Sequence, residues 1–294
     1  MMKSGFVAII GRPNVGKSTL LNVLVGRKIS IITPKPQTTR TNIQGIYNAP
    51  DAQIVFVDTP GIHKPHYRLG EYMNKVAFSS VNNVDCPLLV VDSSLPFGEG
   101  DQFLVDRVHP DGKLIVVLNK IDLTTTEKLA QIKEKYQSLF PNADFAETVA
   151  ADAINVDILL KKLLNLLPEG PKYFPDGVYC DHPESFIIAE IIREKVMLLT
   201  QEEVPHSVAI SIEKITPKKE KTDIYATIIV EKDSQKGIMI GRGGKKIKSI
   251  GIKAREDIEE LLGVKVNLNL YVSVEEGWRD SAHHLKLFGY KEEE

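Results

Sequence analysis

The sequence predicts an α/β protein in two parts, a domain built on a mainly parallel sheet followed by a smaller α+β domain. Three observations carry this expectation. From residue 1 to about 167, short β-rich apolar runs alternate with helical patterns, as βα units do. Pro168, Gly170, Pro171, Pro175, Gly177 and Pro183 then crowd a stretch that no helix or central strand would tolerate. Beyond it, helical and strand periodicities follow in the order α-β-β-α-α-β. The expected boundaries are 1–170 for the first domain, 171–184 for a linker and 185–294 for the second domain.

The runs 6–10, 54–57, 88–91 and 114–118, with a weaker one at 145–149, are uninterrupted enough for strands covered by helices on both faces. In the second part, 186–199 reads as a helix. Val208, Ile210 and Ile212 alternate with polar neighbours as a strand, and 224–230 is the next strand, across the polar turn 217–221. Ile247, Ile250, Ala254, Ile258 and Leu261 recur at helical spacing up to Gly263. Val264, Val266, Leu268, Leu270, Val272 and Val274 then alternate strictly as a strand. Glu292, Glu293 and Glu294 read as a solvated acidic tail.

Composition narrows the function classes. The 294 residues are 43% hydrophobic and 26% charged, which excludes disordered and fibrous proteins. A net charge of -2 gives no global attraction for nucleic acid or anionic membrane, so any such binding rests on local patterning. Cys86 and Cys180 form no C-x-x-C pair, which argues against a disulfide framework or structural zinc and fits a reducing cytosol. No export signal is read at the N-terminus. No run reaches the roughly 18 apolar residues that cross a bilayer.

Directly after the first strand stands Gly11-Arg12-Pro13-Asn14-Val15-Gly16-Lys17-Ser18, the P-loop pattern, followed by Thr19 and a helical stretch. Glycines let backbone N–H groups curl around phosphates, Lys17 neutralises the β- and γ-phosphate oxygens, and Ser18 offers a hydroxyl to Mg²⁺. Asp58-Thr59-Pro60-Gly61 ends the second strong strand, where a carboxylate faces the Mg²⁺ shell and the Gly61 N–H meets a γ-phosphate. Asn119-Lys120-Ile121-Asp122 ends another strand, at the edge where open α/β sheets bind ligands. The Asp122 carboxylate can accept the N1 hydrogen and exocyclic amine of guanine together, which adenine does not offer. Asn119 is expected to bond locally, and the Lys120 stem to lie on the base.

Three motifs in this order, each at a strand end, resemble the GTPase family, and their spelling resembles the translation-factor-like bacterial GTPases. Residues 36–40, P-Q-T-T-R, look like a switch I loop and 58–65, D-T-P-G-I-H-K-P, like a switch II loop. The resemblance implies GTP and GDP as ligands, with Mg²⁺ met by Ser18, Asp58 and a switch threonine, Thr39 as the first candidate and Thr38 as the alternative, which the sequence does not separate. Lys17, Thr39 and Gly61 would act in hydrolysis. Asn14 matches an asparagine of potassium-activated relatives, which adds K⁺ to the expected ions. Ile62 follows Gly61 where many GTPases have a water-orienting glutamine, so slow intrinsic turnover is expected. At the last nucleotide motif, usually Ser-Ala and a turn to Gly, the chain reads Val149-Ala150-Ala151-Asp152-Ala153. Only Ala150 matches, with its N–H expected to face guanine O6.

Between 236 and 255 the charged residues are Lys236, Arg242, Lys245, Lys246, Lys248, Lys253 and Arg255, with no acid among them. At the centre lies Gly241-Arg242-Gly243-Gly244, a G-x-x-G loop between two helices, where close backbone approach and a helix N-terminus suit a nucleic-acid backbone. The element order and this loop resemble a KH domain, although Gly243 stands where Lys or Arg is frequent and Tyr271 where Trp is frequent. Residues 233–241, 193–195 and 288–290 match one group closely: the bacterial ribosome-assembly GTPases with a C-terminal KH domain.

That resemblance covers almost the whole chain. It implies a GTPase that binds the 3′ region of small-subunit 16S ribosomal RNA and assists 30S assembly. Lys236, Gly241, Arg242, Gly243, Gly244, Lys245, Lys246 and Lys248 would meet the RNA. It further implies a cytoplasmic protein with peripheral contact to the inner membrane, although no amphipathic anchor is visible; a monomer is the default. The competing reading is a GTPase whose C-terminal half binds a protein or membrane partner. A small-substrate phosphotransferase is disfavoured, having no use for a guanine-reading Asp122. His63 and His66, three apart without a third ligand, and the adjacent His283 and His284 are read as ordinary polar residues, not metal ligands.

Overall fold

The computed structural model describes residues 2–62, 67–80, 84–108 and 113–290. His63, His66 and the acidic end 292–294 lie outside the described residues. The chain divides into two compact units, Met1–His66 with Gly70–Asp181, and Tyr67–Leu69 with His182–Glu294.

The first unit is built on β1 (Met2–Ile10), whose Val7, Ala8, Ile9 and Ile10 have no exposed surface. Each buried Val or Ile stabilises the fold by about 1.5–3 kcal/mol relative to exposure, which is why this run fixes the sheet centre. After α1 (Lys17–Val25) come β2 (Ile43–Ala49), β3 (Ala52–Asp58), α2 (Arg68–Ser79), β4 (Leu88–Asp92), α3 (Glu99–Val105) and β5 (Ile115–Asn119). The unit ends with α4 (Thr126–Leu139), β6 (Asp144–Thr148), α5 (Val156–Leu166) and the two-residue β7 (Glu169–Gly170).

The strand order is β2-β3-β1-β4-β5-β6, with β7 pairing antiparallel to the start of β1. All central pairings are parallel; β2 runs antiparallel to its neighbour β3 at the outer side. Parallel strands of one sheet point their carboxyl ends the same way, so the residues after β1, β3, β4, β5 and β6 gather at one edge. Strand β2 was not among the expected strands. Its Ile-Gln-Gly-Ile-Tyr-Asn-Ala pattern is short, interrupted by Gly45 and polar, as suits a partly exposed outer strand.

The breaker-rich stretch is no free tether. Gln53, with no exposed surface, accepts from the Tyr173 and Phe174 N–H groups at 2.7 and 2.9 Å, and its amide donates to Phe174 O at 2.9 Å. Farther on, Ile46 N–H donates to Tyr179 O at 3.0 Å and Gln44 N–H to the Asp181 carboxylate at 2.9 Å, so the segment straps along β2.

The second unit comprises α6 (Glu184–Leu199), β8 (Ala209–Pro217), β9 (Lys221–Val230), α7 (Asp233–Ile240), α8 (Lys245–Leu262), β10 (Lys265–Val274) and α9 (Ala282–Leu287). Its sheet has the order β10-β9-β8, with β8 and β9 antiparallel and β9 and β10 parallel over ten residue pairs. Ile188, Ile192 and Val196 of α6 and Ile250, Ala254 and Ile258 of α8 are buried, as are Ile224, Ala226, Ile228 and Val230 of β9. Helices α6 and α8 pack on each other, with α6 against β8 and α8 against β10. Trp278 closes the core without exposed surface, and its Nε1 donates to Ser207 O at 3.0 Å.

Replacing Gln53 by Ala leaves two N–H groups and a carbonyl of the strap without their partner. We expect Gln53→Ala to lower the urea-unfolding free energy by about 2 kcal/mol and to open residues 171–178 to limited proteolysis. An unchanged unfolding midpoint and cleavage pattern would show that the strap is held by its other bonds alone.

Candidate functional site

The loop between β1 and α1 turns through positive φ at Gly11, Asn14 and Gly16, so that the first N–H groups of α1 open toward a cleft. No acidic residue or capping side chain occupies that helix end, which leaves it suited to an anion. Lys17 is 6% exposed and donates to Gly11 O at 3.1 Å and Arg12 O at 2.9 Å. Burial pulls its ammonium down to a pKa of about 8, against the opposing pull of the Asp58 carboxylate.

Asp58, at the end of β3, has no exposed surface, and burial pushes its carboxyl up while Lys17 and three hydroxyls counter that shift. Ser18 Oγ donates to Asp58 Oδ2 at 2.8 Å, Ser30 Oγ at 2.9 Å and Thr39 Oγ1 at 3.3 Å. Ser18 and Thr39 lie 2.9 Å apart through their hydroxyl oxygens. Thr38 turns elsewhere, to Thr33 Oγ1 and Lys35 O, each at 2.7 Å. Asp58 Oδ1 is buried with no hydrogen-bond partner among the described residues. Two hydroxyls and a carboxylate, one oxygen of which is buried and unmatched, form a hard donor set that fits Mg²⁺.

Gly61 brings the D-T-P-G turn onto the P-loop: a Cβ there would stand 2.9 Å from the Pro13 backbone. Ile62, 2% exposed, packs in the core with Ala8, Ile10 and Leu89, so it presents no polar group beside Gly61.

At the other end of the cleft, Asp92, Asn119 and Thr148 lie in register on the ends of β4, β5 and β6. Asn119 Nδ2 donates to Val15 O at 2.8 Å, and its Oδ1 accepts from Thr148 Oγ1 at 3.1 Å and from the Ala150 N–H at 2.9 Å. Lys120 Nζ donates to Asn14 O at 2.8 Å and to Asp92 Oδ2 at 2.6 Å. Burial pushes the Asp92 carboxyl up, but bonds from Lys120 and Ser94 outweigh it and hold the group below the usual carboxylate range. Asp122 is exposed on the single 3-10 turn Ile121–Leu123.

The cleft, about 360 Å³, is lined by Pro13, Asn14, Gly16, Lys17, Ser18, Thr19, Thr38, Thr39, Gly61 and Lys120, together with part of 31–37. Gly11, Val15, Asp58, Thr59 and Asn119 lie buried behind this lining. Pro60 is buried and Asp122 exposed, both outside the lining.

Groups at several of the expected positions have partners within the protein. The Arg12 side chain turns away from the cleft to Asp101, because that carboxylate lies at 3.0 Å. Thr59 uses its hydroxyl on Ile9 O at 2.8 Å, a bond within the sheet. The Ala150 N–H donates to Asn119 Oδ1. Asp92, Ser30, Thr148 and Asp101 were missed, each being a lone polar residue without a motif. For Asp92 a signal existed: it ends an otherwise apolar run, opposite Asn119.

In the second unit, the loop between α7 and α8 runs through positive φ at Gly241, Gly243 and Gly244, a path that glycine takes without strain. Arg242, Gly243, Lys245 and Lys248 are exposed, and Lys236, Gly241 and Gly244 are half-buried. The Lys246 Nζ donates to Leu199 O at 2.7 Å and caps the end of α6. Beside the loop, Ile247, Lys248, Gly251, Ile252 and Arg255 of α8 face Asn267, Leu268 and Leu270 of β10 across a groove. Its floor is apolar and it carries two cations.

The fold and these two sites define a P-loop GTPase joined to a KH domain. The chain matches the family model described as 50S ribosome-binding GTPase over residues 6–120 and the KH domain model over 203–279. It is similar to Era in complex with MgGDPNP and nucleotides 1506–1542 of 16S ribosomal RNA, at 39% identity, covering 99% of each chain, with a TM-score of 0.93. A variant of Aquifex aeolicus Era bound to GDP and aluminium fluoride gives the same identity and TM-score, covering 98% of this chain and 99% of that one. The chain belongs to the Era family. Among the described residues no helix is long and apolar enough to cross a membrane, and no group of three His, Cys, Asp or Glu residues is placed to hold a metal ion.

The Lys120 to Asp92 bond gives a pH-dependent expectation. We expect Asp92→Ala to lower the unfolding free energy by about 2 kcal/mol at neutral pH, as for a charge-assisted hydrogen bond. A carboxyl with a depressed pKa adds stability that is full above pH about 4 and is lost as pH falls through its lowered value. Denaturant titrations should therefore show the gap between parent and variant narrowing on acidification; a gap that widens would refute the assignment.

Proposed function

We propose that this chain is a GTP-hydrolysing switch that binds the 3′ region of 16S ribosomal RNA and assists assembly of the 30S subunit. The observation that carries the proposal is likeness over 99% of the chain to an Era protein that holds MgGDPNP and 16S ribosomal RNA nucleotides together. The proposed working division is 1–170 for nucleotide, 171–184 as linker and 185–294 for RNA, in a cytoplasmic monomer with peripheral contact to the inner membrane.

In the nucleotide half, Ser18, Thr39 and Asp58 would hold Mg²⁺, which when bound neutralises phosphate charge. The Thr39 hydroxyl beside Ser18 and Asp58 supports choosing it over Thr38. The P-loop amides and Lys17 bind phosphate oxygens, the Gly61 N–H meets the γ-phosphate, and Asp122 reads guanine. Potassium, carried from the likeness at Asn14, is the second ion proposed. Ile62 lies in the core, so water must be oriented by another group and intrinsic turnover is slow.

In the KH half, Arg242, Lys245 and Lys248 would meet phosphates beside Gly241, Gly243 and Gly244, while bases lie on the apolar groove of α8 and β10. The half-buried Lys236 adds charge to the same edge.

Two experiments test the halves. Asp122→Asn should weaken GTP by about 3 kcal/mol and reverse the preference toward xanthosine triphosphate, because a charged acceptor becomes a group that presents a donor to guanine's donors. Calorimetry showing a retained preference for GTP would remove the base-reading role. Arg242→Asp with Lys245→Glu should abolish binding of single-stranded 16S ribosomal RNA while leaving GTP affinity within about threefold. Each lost phosphate contact should flatten the log-log salt slope by roughly 0.7. Unchanged RNA affinity and slope would transfer the proposal to a protein or membrane partner.

A further inference from the structure

Of the P-loop side chains, Arg12 carries a charge that points away from the cleft. Its Nε lies 3.0 Å from Asp101 Oδ1, and Asp101, in the first turn of α3, is 5% exposed. The same Oδ1 accepts from the Tyr136 hydroxyl of α4 at 2.9 Å, and Oδ2 accepts from the Gly98 N–H at 2.9 Å. Tyr136 is 2% exposed; burial first, and then the Asp101 charge, push its phenol well above the usual range, so it stays a donor. Gly100 gives the arm its path, since a Cβ there would stand 2.9 Å from Arg12 Cδ.

The anchored residue touches both sides of the reacting end of the cleft. The Arg12 carbonyl holds Lys17 Nζ at 2.9 Å. The next residue, Pro13, carries Gly61 against its backbone. A carboxylate tied to a buried tyrosine, one step behind this edge, fixes where the edge can stand. Pre-set geometry of this kind acts on the rate of a reaction, because small displacements of reacting groups are costly there.

We propose that Asp101 is a positioning residue for GTP hydrolysis: through Arg12 and with Tyr136 behind it, it sets the Arg12 and Pro13 edge of the P-loop against Lys17 and Gly61. The inference rests on the hydrolysis reading above. It assigns a catalytic consequence to residues of α3 and α4, which carry no nucleotide motif. The effect falls on the γ-phosphate end, so GDP binding through the α1 amides is left largely intact.

The test is single-turnover GTP hydrolysis with Mg²⁺ on the full chain, beside GDP affinity by fluorescence titration. Asp101→Asn keeps an acceptor for Gly98 but removes the charge that holds Arg12; Arg12→Gln removes the other partner. Each should slow hydrolysis by about tenfold, with GDP affinity within about threefold. The double variant should be no more than about twofold slower than the slower single, because both act through one contact. Unchanged rates, slowdowns that multiply, or a matching loss of GDP affinity would each overturn the inference. Should Asp101→Asn fail to fold, Tyr136→Phe, which leaves the ion pair, carries the test: hydrolysis about twofold to threefold slower with GDP affinity kept supports it, and an unchanged rate rejects it. A parent chain that does not hydrolyse GTP at all refutes the underlying reading instead.

Discussion

A carboxylate with no exposed surface governs the nucleotide half. Asp58 cannot stay charged in that place without partners, because desolvation of an ion costs several kcal/mol. Its partners come from three stretches of sequence: Lys17 and Ser18 at the start of α1, Ser30 after it, and Thr39 from the loop before β2. Satisfying one oxygen of this group therefore orders the floor of the cleft. The other oxygen, left without a hydrogen-bond partner among the described residues, marks where a cation fits.

The parallel sheet makes such a convergence cheap. Strand ends of β1, β3, β4, β5 and β6 fall along one edge, so motifs separated by as much as a hundred residues meet there. Asn119 shows the economy of the arrangement: one amide ties the P-loop at Val15 to the ends of β5 and β6 through Thr148 and Ala150. Lys120 adds a second tie, from Asn14 to Asp92. These bonds fix the geometry of the strand ends with local groups, while Asp122 stays exposed.

The KH half solves a different problem, presenting backbone and positive charge together. Glycines at positive φ let the loop turn sharply between α7 and α8 while Arg242 and Lys245 stay in solvent. Burial of other charges nearby is strictly paired. Lys195 meets Glu194 at 2.7 Å and Asp257 at 2.6 Å, and Arg193, 1% exposed, is held by Glu190. Basic residues in this unit thus divide into those that fasten the helices and those left at the loop.

The two-part α/β and α+β architecture, the P-loop, the D-T-P-G turn, the N-K-I-D run at Asn119 to Asp122 and the G-x-x-G loop are all legible along the chain. All of these are local: a strand, a turn or a helix start is written in consecutive residues and their periodicity. Strand β2 escaped because an outer strand with Gly45 and polar neighbours carries a weak period, and its pairing with β3 is what makes it a strand. Tertiary packing alone brings Thr39 and not Thr38 to Ser18 and Asp58, Arg12 to Asp101, the Ala150 N–H to Asn119 and Lys246 to the end of α6. Each of those depends on where a side chain from a distant element comes to rest, and hydrogen bonds across separations such as the 89 positions from Arg12 to Asp101 leave no periodic trace along the chain.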